Sequence, residues 1–197
     1  MHTIQHGLAA AAVAACGAAP IAGHAQSLRP HLNDTGLTQC ADAADQWTSQ
    51  CASSGQDAAF GRDATHPGSA DGAAGFAFVR VCNSGEPAGT GNCPQRPARG
   101  PAPNDWGCNH DRVTGLTWEL KTDDGGLRDW RRVYTQRQPQ DPRYGKPSDA
   151  SGYVHAVNRS GGLCGSSHWR LPRLMELFSL VDMAIAYPGP NIDSDRK

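Results

Sequence analysis

The sequence predicts an α+β domain that is rich in loops, stapled by disulfides and exported. Three observations lead there. The 197 residues include 23 Gly and 14 Pro with only 38% hydrophobic residues, which fits a loop-rich chain with limited helix. Short alternating runs mark strands, and 3.6-residue stripes mark two helices. An apolar N-terminal run precedes an even set of cysteines. Lys+Arg 18 against Asp+Glu 19 leaves the chain near neutral, which argues against a nucleic-acid binder. The length suits one domain plus a smaller appendage.

Residues 1–25 read as a signal peptide. Gly7 to Gly23 is nearly all Ala, Val, Leu, Ile and other small residues, and Gly23-His24-Ala25 offers small residues at both cleavage-determining positions. The competing reading is a lipoprotein anchor at Cys16, because Val13-Ala14-Ala15-Cys16 matches a lipobox. The apolar run is too short and Ala-rich for a good membrane span, so no span is expected after signal removal. The expected location is secreted, periplasmic or on the outer surface of a bacterium.

Removal of the signal takes Cys16 and leaves Cys40, Cys51, Cys82, Cys93, Cys108 and Cys164. An even count in an exported chain reads as disulfides, although six cysteines allow about fifteen connectivities. Cys40 and Cys51 enclose ten residues, as do Cys82 and Cys93, so both pairs look like local staples. Cys108 and Cys164 are then left to each other. The chain-entropy model gives about 3 kcal/mol for each small loop and about 4 for the long one. There is no Cys-x-x-Cys and no paired His spacing, so neither metal nor cofactor is expected.

Residues 26–103 form an irregular, polar N-terminal region. Gly75 to Val81 is its clear strand. Ala41 to Gln50 reads as one or two helical turns, and Gly85 to Pro103 as a loop. The composition changes at Asn104, so residues 104–197 are assigned to the main domain. Leu116-Thr117-Trp118-Glu119-Leu120 alternates as a half-buried strand should, and Thr122 to Gly126 ends it in a turn. Ser151 to Asn158 fits a short helix with Tyr153, Val154 and Val157 on one face. Asn158 and Gly161-Gly162 can stop it. Leu174, Leu177, Phe178, Val181, Ala184 and Ile185 form one stripe, which predicts a helix from Leu174 to Ile185 that ends at Tyr187-Pro188-Gly189-Pro190.

Several of these segments carry a resemblance. They are Asp105-Trp106-Gly107-Cys108, Asp111 with Val113-Thr114-Gly115-Leu116-Thr117-Trp118-Glu119-Leu120-Lys121, Tyr153-Val154 with Val157-Asn158, and Gly162-Leu163-Cys164-Gly165 with Trp169-Arg170-Leu171-Pro172 and Glu176-Leu177. Together they resemble the DUF1566 family, also called the Lcl C-terminal domain. Leu32-Asn33-Asp34-Thr35-Gly36, Gly55-Gln56-Asp57-Ala58 and Gly61-Arg62-Asp63-Ala64 resemble the leader of many members. The resemblance implies a C-type-lectin-like fold, related to the formylglycine-generating sulfatase-modifying domain, in exported or surface-attached proteins. The adhesin that names the family attaches to sulfated glycosaminoglycans. Arg173 stands where members have a capping Thr, a loss that should cost about 1 kcal/mol. Members also continue past the position of Asp195, so the resemblance implies an incomplete lectin-like domain.

The basic-aromatic stretch supplies the candidate ligand-binding residues Arg128, Trp130, Arg131, Arg132, Tyr134 and Arg137. Arg forks suit sulfate and carboxylate, and aromatic faces suit sugar rings. The competing reading is a solvated, merely soluble loop. Asp123-Asp124-Gly125 with Asp129 matches turn chemistry better than a calcium loop. Trp118 and Trp169 are expected in the core, and Arg170 as a buried or half-buried ion-pair partner. No Gly-x-Ser-x-Gly motif, phosphate loop or catalytic cysteine is present, so no catalytic residue is assigned. The expected function is a non-catalytic binding module for a sulfated or acidic polysaccharide or another cell-surface polymer. The alternatives are an enzyme resembling the formylglycine-generating oxidases and a purely structural remnant.

Overall fold

The computed structural model describes residues 33–69 and 72–185. The expected signal peptide, Cys16 and the expected helix stop at 187–190 lie outside them. The described part is an α+β, loop-rich chain closed by three disulfides, Cys40–Cys51, Cys82–Cys93 and Cys108–Cys164. These are the pairings that the spacing singles out.

The first staple holds a hairpin of β1 (Cys40–Ala41) and β2 (Trp47–Thr48). Helical turns are expected over Ala41–Gln50, and the structure corrects that. Asp42 Oδ1 accepts from Ala44 N at 2.8 Å and Gln46 N at 2.9 Å, and Asp45 turns the chain at φ 57°. The Asp42 side chain offers these N–H groups an alternative to a helix ladder. Gln56 then bonds both backbone groups of Ala41, at 2.9 and 2.7 Å, as a third strand would. A 3-10 turn, Asp57–Ala59, leads into α1 (Gly61–Thr65). Cys40, Cys51 and Ala58 form a small buried cluster. A two-residue hairpin follows, β3 (Gly68–Ser69) with β4 (Gly72–Ala73).

The main sheet is antiparallel and runs β5 (Phe78–Cys82), β6 (Trp106–Asp111), β7 (Thr117–Glu119), with β6 in the middle. Val81 faces Cys108, and Asn109 faces Trp118. This sheet takes one strand from residues 26–103 and two from 104–197, so the compositional division falls inside it. Trp106 is 5% exposed, with its ring beneath the guanidiniums of Arg80 at 4.3 Å and Arg99 at 5.3 Å. Such cation–π contacts contribute about 0.5–1 kcal/mol each. Gly107 has no room for a side chain: a Cβ there would meet Asn83 Oδ1 at 2.1 Å and Cys164 Sγ at 3.2 Å.

The turn from β6 to β7 is built on Asp111, which is fully buried. Its carboxylate accepts from Val113 N at 2.9 Å, Thr114 Oγ1 at 2.7 Å and Asn33 Nδ2 at 2.6 Å. The Asp-x-Val-Thr-Gly sequence is therefore a side-chain-anchored turn, and it also ties down the chain's first described residue.

The helix α2 (Ala150–Arg159) forms where its apolar spacing predicts. Tyr153 and Val157 are buried, and Val154 is half-buried. They pack with Val81, Cys108 and Leu163 into the main core. Gly161, at φ 98°, takes the left-handed position after the helix, and Gly162 N–H returns to Val157 O at 3.1 Å. That is the Schellman closure of a helix end.

The predicted final helix is corrected most. α3 spans only Leu174–Phe178, and none of its residues is buried. Leu174, Leu177 and Phe178 are exposed, whereas Ser179 and Asp182 are buried. Beyond Phe178 the chain closes tight turns, and Met183 N donates to Thr35 O at 2.8 Å. Gly36, at φ 80°, makes this approach possible, since a Cβ there would lie 2.6 Å from Asp182 Oδ1. Polar contacts with residues 35–36 thus override the apolar stripe. At the start of α3, Glu176 accepts from Arg173 N at 2.7 Å. The reciprocal cap is missing because a guanidinium offers no acceptor.

Candidate functional site

A cavity of about 540 Å³ opens between β7, α2, the segment 164–172 and α3. β7 supplies Thr117, Trp118 and Glu119 in succession. α2 supplies Tyr153, Val154 and Val157 from one face. The loop that carries Cys164 supplies Trp169 to Pro172, and α3 closes the rim with Glu176 and Leu177. The volume is that of a small-ligand site.

The floor is a charged network around Glu119. Its carboxylate accepts from Tyr153 Oη in a very short bond, from Arg128 Nε at 3.2 Å and from Lys121 Nζ at 3.0 Å. Lys121 also lies 3.8 Å from the centre of the Tyr153 ring. Burial, and then the Glu119 carboxylate, push the Tyr153 phenol above the tyrosine range. Tyr153 therefore remains a donor at any physiological pH.

The Trp169 wall is fixed from α2. Asn158 Oδ1 accepts from Trp169 N at 2.9 Å, and Asn158 Nδ2 donates to Trp169 O at 2.9 Å. The Trp169 indole donates to Leu163 O and Ser166 O, each at 3.0 Å. Asn158 is thus a two-handed clamp rather than a helix stop, since the helix runs on to Arg159. Trp118 and Trp169 are both half-buried and both line the cavity; Trp169 also packs against the main core, as expected, whereas that core cluster does not include Trp118.

Arg170 forms the expected ion pair but is exposed rather than buried. Its Nη1 and Nη2 donate to the two Glu176 oxygens at 2.8 and 2.6 Å. These bonds, and then Arg173 N–H, hold Glu176 down to about 2 from its ordinary 4.5. The folded value is the lower one, so the contribution is complete above 4.5 and is lost as pH falls through about 2. An NMR titration of the Glu176 carboxyl should have its midpoint near 2. Arg170→Gln should return that midpoint toward 4.5.

The residues chosen from the basic stretch are placed differently. Arg128 is half-buried and bolts the sheet, donating to Glu119, to Asn83 Oδ1 at 3.2 Å, to Gly107 O at 3.1 Å and to Leu120 O at 2.7 Å. Arg131 pairs with Asp129 at 3.2 Å and with Asp123, and its guanidinium lies 5.2 Å from the exposed Trp130 ring. Arg132 donates to Gly126 O at 2.6 Å and Gly125 O at 3.2 Å. Arg137 lies 3.6 Å from Asp141. Tyr134 packs 4.9 Å from Tyr153, and it alone of the six lines the cavity. Asp129 accepts from Gly125 N at 2.6 Å and Arg131 N at 2.9 Å, so turn chemistry accounts for the Asp-Asp-Gly segment. The charge run directed attention to the arginines. Glu119, Lys121 and Glu176 carried no comparable signal as cavity residues, because the lining is assembled from β7, α2 and the segment 164–177, which only the fold brings together.

Residues 107–196 match the family model described as the Lcl C-terminal domain. That segment belongs to the Lcl C-terminal domain family. The cavity lies within the Lcl C-terminal domain, since every residue lining it falls between 115 and 177. No curated protein and no solved structure matches the chain. Membership suggests a surface or secreted domain, and the three disulfides are compatible with an extracellular protein. Among the described residues no helix is long and apolar enough to cross a membrane.

Proposed function

We propose that the protein is an exported, non-catalytic binding module that holds a saccharide unit of a cell-surface polymer in this cavity. One observation carries the reading: Trp118, Tyr153 and Trp169 line a single opening with the Glu119, Lys121, Arg170 and Glu176 side chains. Sugar rings present apolar faces and hydroxyl edges, and such a lining meets both. The charges around the opening come in opposed pairs, Lys121 with Glu119 and Arg170 with Glu176. That balance suits a polar ring without a net charge of its own. Sulfate or carboxylate groups elsewhere on the polymer would then meet the exposed Arg131 and Arg132. The lectin-like architecture implied by the resemblance belongs to the same proposal.

The test is retention on immobilised glycans, followed by calorimetry with oligosaccharides of the retained type. Trp118→Ala should weaken binding about tenfold or more, the loss expected for one stacking aromatic of about 1.4 kcal/mol. Its fold is checked by circular dichroism. Arg131→Ala with Arg132→Ala should lower only the salt-sensitive part. Retention that is indifferent to Trp118→Ala in a folded protein would overturn the reading.

A further inference from the structure

We propose that Asp34, Asp57 and Asp63 form a site for a divalent cation of calcium's class. The proposal goes beyond the binding-module reading and does not depend on it. One carboxylate oxygen from each residue lies within 4.8 Å of the others. Three separate pieces of chain converge to place them. Asp34 belongs to the extended segment at the start of the described chain, Asp57 opens the 3-10 turn, and Asp63 sits inside α1. The sequence repeats Gly-x-Asp-Ala at Gly55–Ala58 and Gly61–Ala64, and this repeat supplies the last two carboxylates. The cavity makes no use of it, and of its residues only Ala58 enters the small buried cluster with Cys40 and Cys51.

The condition of Asp63 is the second observation. Asp63 is 1% exposed. Its Oδ1 accepts from Ala64 N at 2.7 Å, while its Oδ2 is buried with no hydrogen-bond partner among the described residues. Among the described residues no Lys or Arg forms an ion pair with any of the three. A buried carboxylate oxygen beside two further carboxylates is costly to keep charged without a positive partner. A hard cation supplies that partner and prefers oxygen ligands alone.

The other two carboxylates are already oriented. Asp34 accepts from Arg62 N and from Asp63 N at 3.3 Å at the head of α1, and from Thr35 N at 3.0 Å. Asp57 accepts from Thr35 Oγ1 in a very short bond. Each carboxylate keeps lone pairs beyond those bonds. Asp57 is exposed, which gives an ion a way in. Donors drawn from three short pieces of chain suit the flexible coordination of calcium better than the strict octahedron of magnesium.

The test uses the full chain with its disulfides intact, at neutral pH and fixed ionic strength, after removal of chelator. Calcium chloride is titrated by calorimetry, and thermal unfolding is compared in calcium and in EDTA. Saturable binding is expected with Kd about 10⁻³ M or tighter, the range of extracellular modules. At free calcium of about ten times Kd, the ratio of folded to unfolded protein should rise about tenfold. Asp57→Asn should abolish both the saturable heat and the thermal shift, and so should Asp63→Asn. If Asp63→Asn fails to fold, the exposed Asp57→Asn carries the test. No saturable binding up to about 10 mM calcium, or unchanged binding by Asp57→Asn, overturns the proposal.

Discussion

Replacing Cys108 and Cys164 together by alanine should lower the free energy of unfolding by about 4 kcal/mol. The bond spans 56 residues, against 11 for each of the other two, so it removes the most freedom from the unfolded chain. It also lies in the main core: Cys108 is fully buried beside Val81, Tyr153, Val157 and Leu163, and Cys164 packs against them. Urea unfolding without reductant would measure the effect. The Cys82→Ala with Cys93→Ala variant, with its short loop, should lose about 1 kcal/mol less. An equal or reversed order would show that the long link does not control the stability of the core. Cys164 also lines the cavity, so the same variant should loosen the Trp169 wall and weaken any ligand held there.

Asp111→Ala should cost about 3 kcal/mol or more, the second large effect. Substitution strips the acceptor from Val113 N, Thr114 Oγ1 and Asn33 Nδ2 at once, in a place where the carboxylate is fully buried. A buried donor left without an acceptor costs about 1–3 kcal/mol. Thermal unfolding would show the loss. Hydrogen exchange would show where it spreads, with β7 and the segment around Asn33 opening first. A fall of less than about 1 kcal/mol would mean that water replaces the carboxylate and that the turn holds itself.

Much of this arrangement can be read from the chain, and the failures share one cause. α2 is legible because Tyr153, Val154 and Val157 keep a helical period and Gly161-Gly162 close it. β7 is legible because Leu116 to Leu120 alternate. β6 is less so: Trp-Gly-Cys-Asn-His-Asp has no clean alternation, yet it is the middle strand, since Trp106, Cys108 and Asp111 each find a buried place. The last helix misleads because a stripe counts apolar residues only. Ser179 and Asp182 are buried, and Asp182 and Met183 lie against residues 35–36, an approach that no local pattern reveals. The cavity fails in the same way. A run of arginines is conspicuous in sequence, but the carboxylates and carbonyls that occupy them are visible only in three dimensions.

The placement of β5 has a consequence for the limits of the module. The stretch that bears the family's signature starts inside β6, while the strand laid along the other side of β6 is encoded upstream. Recognition by pattern and autonomy of folding therefore part company here. A boundary drawn where the signature starts would cut through the ladder and leave a row of unsatisfied amides facing outward, a ready template for stray strand pairing.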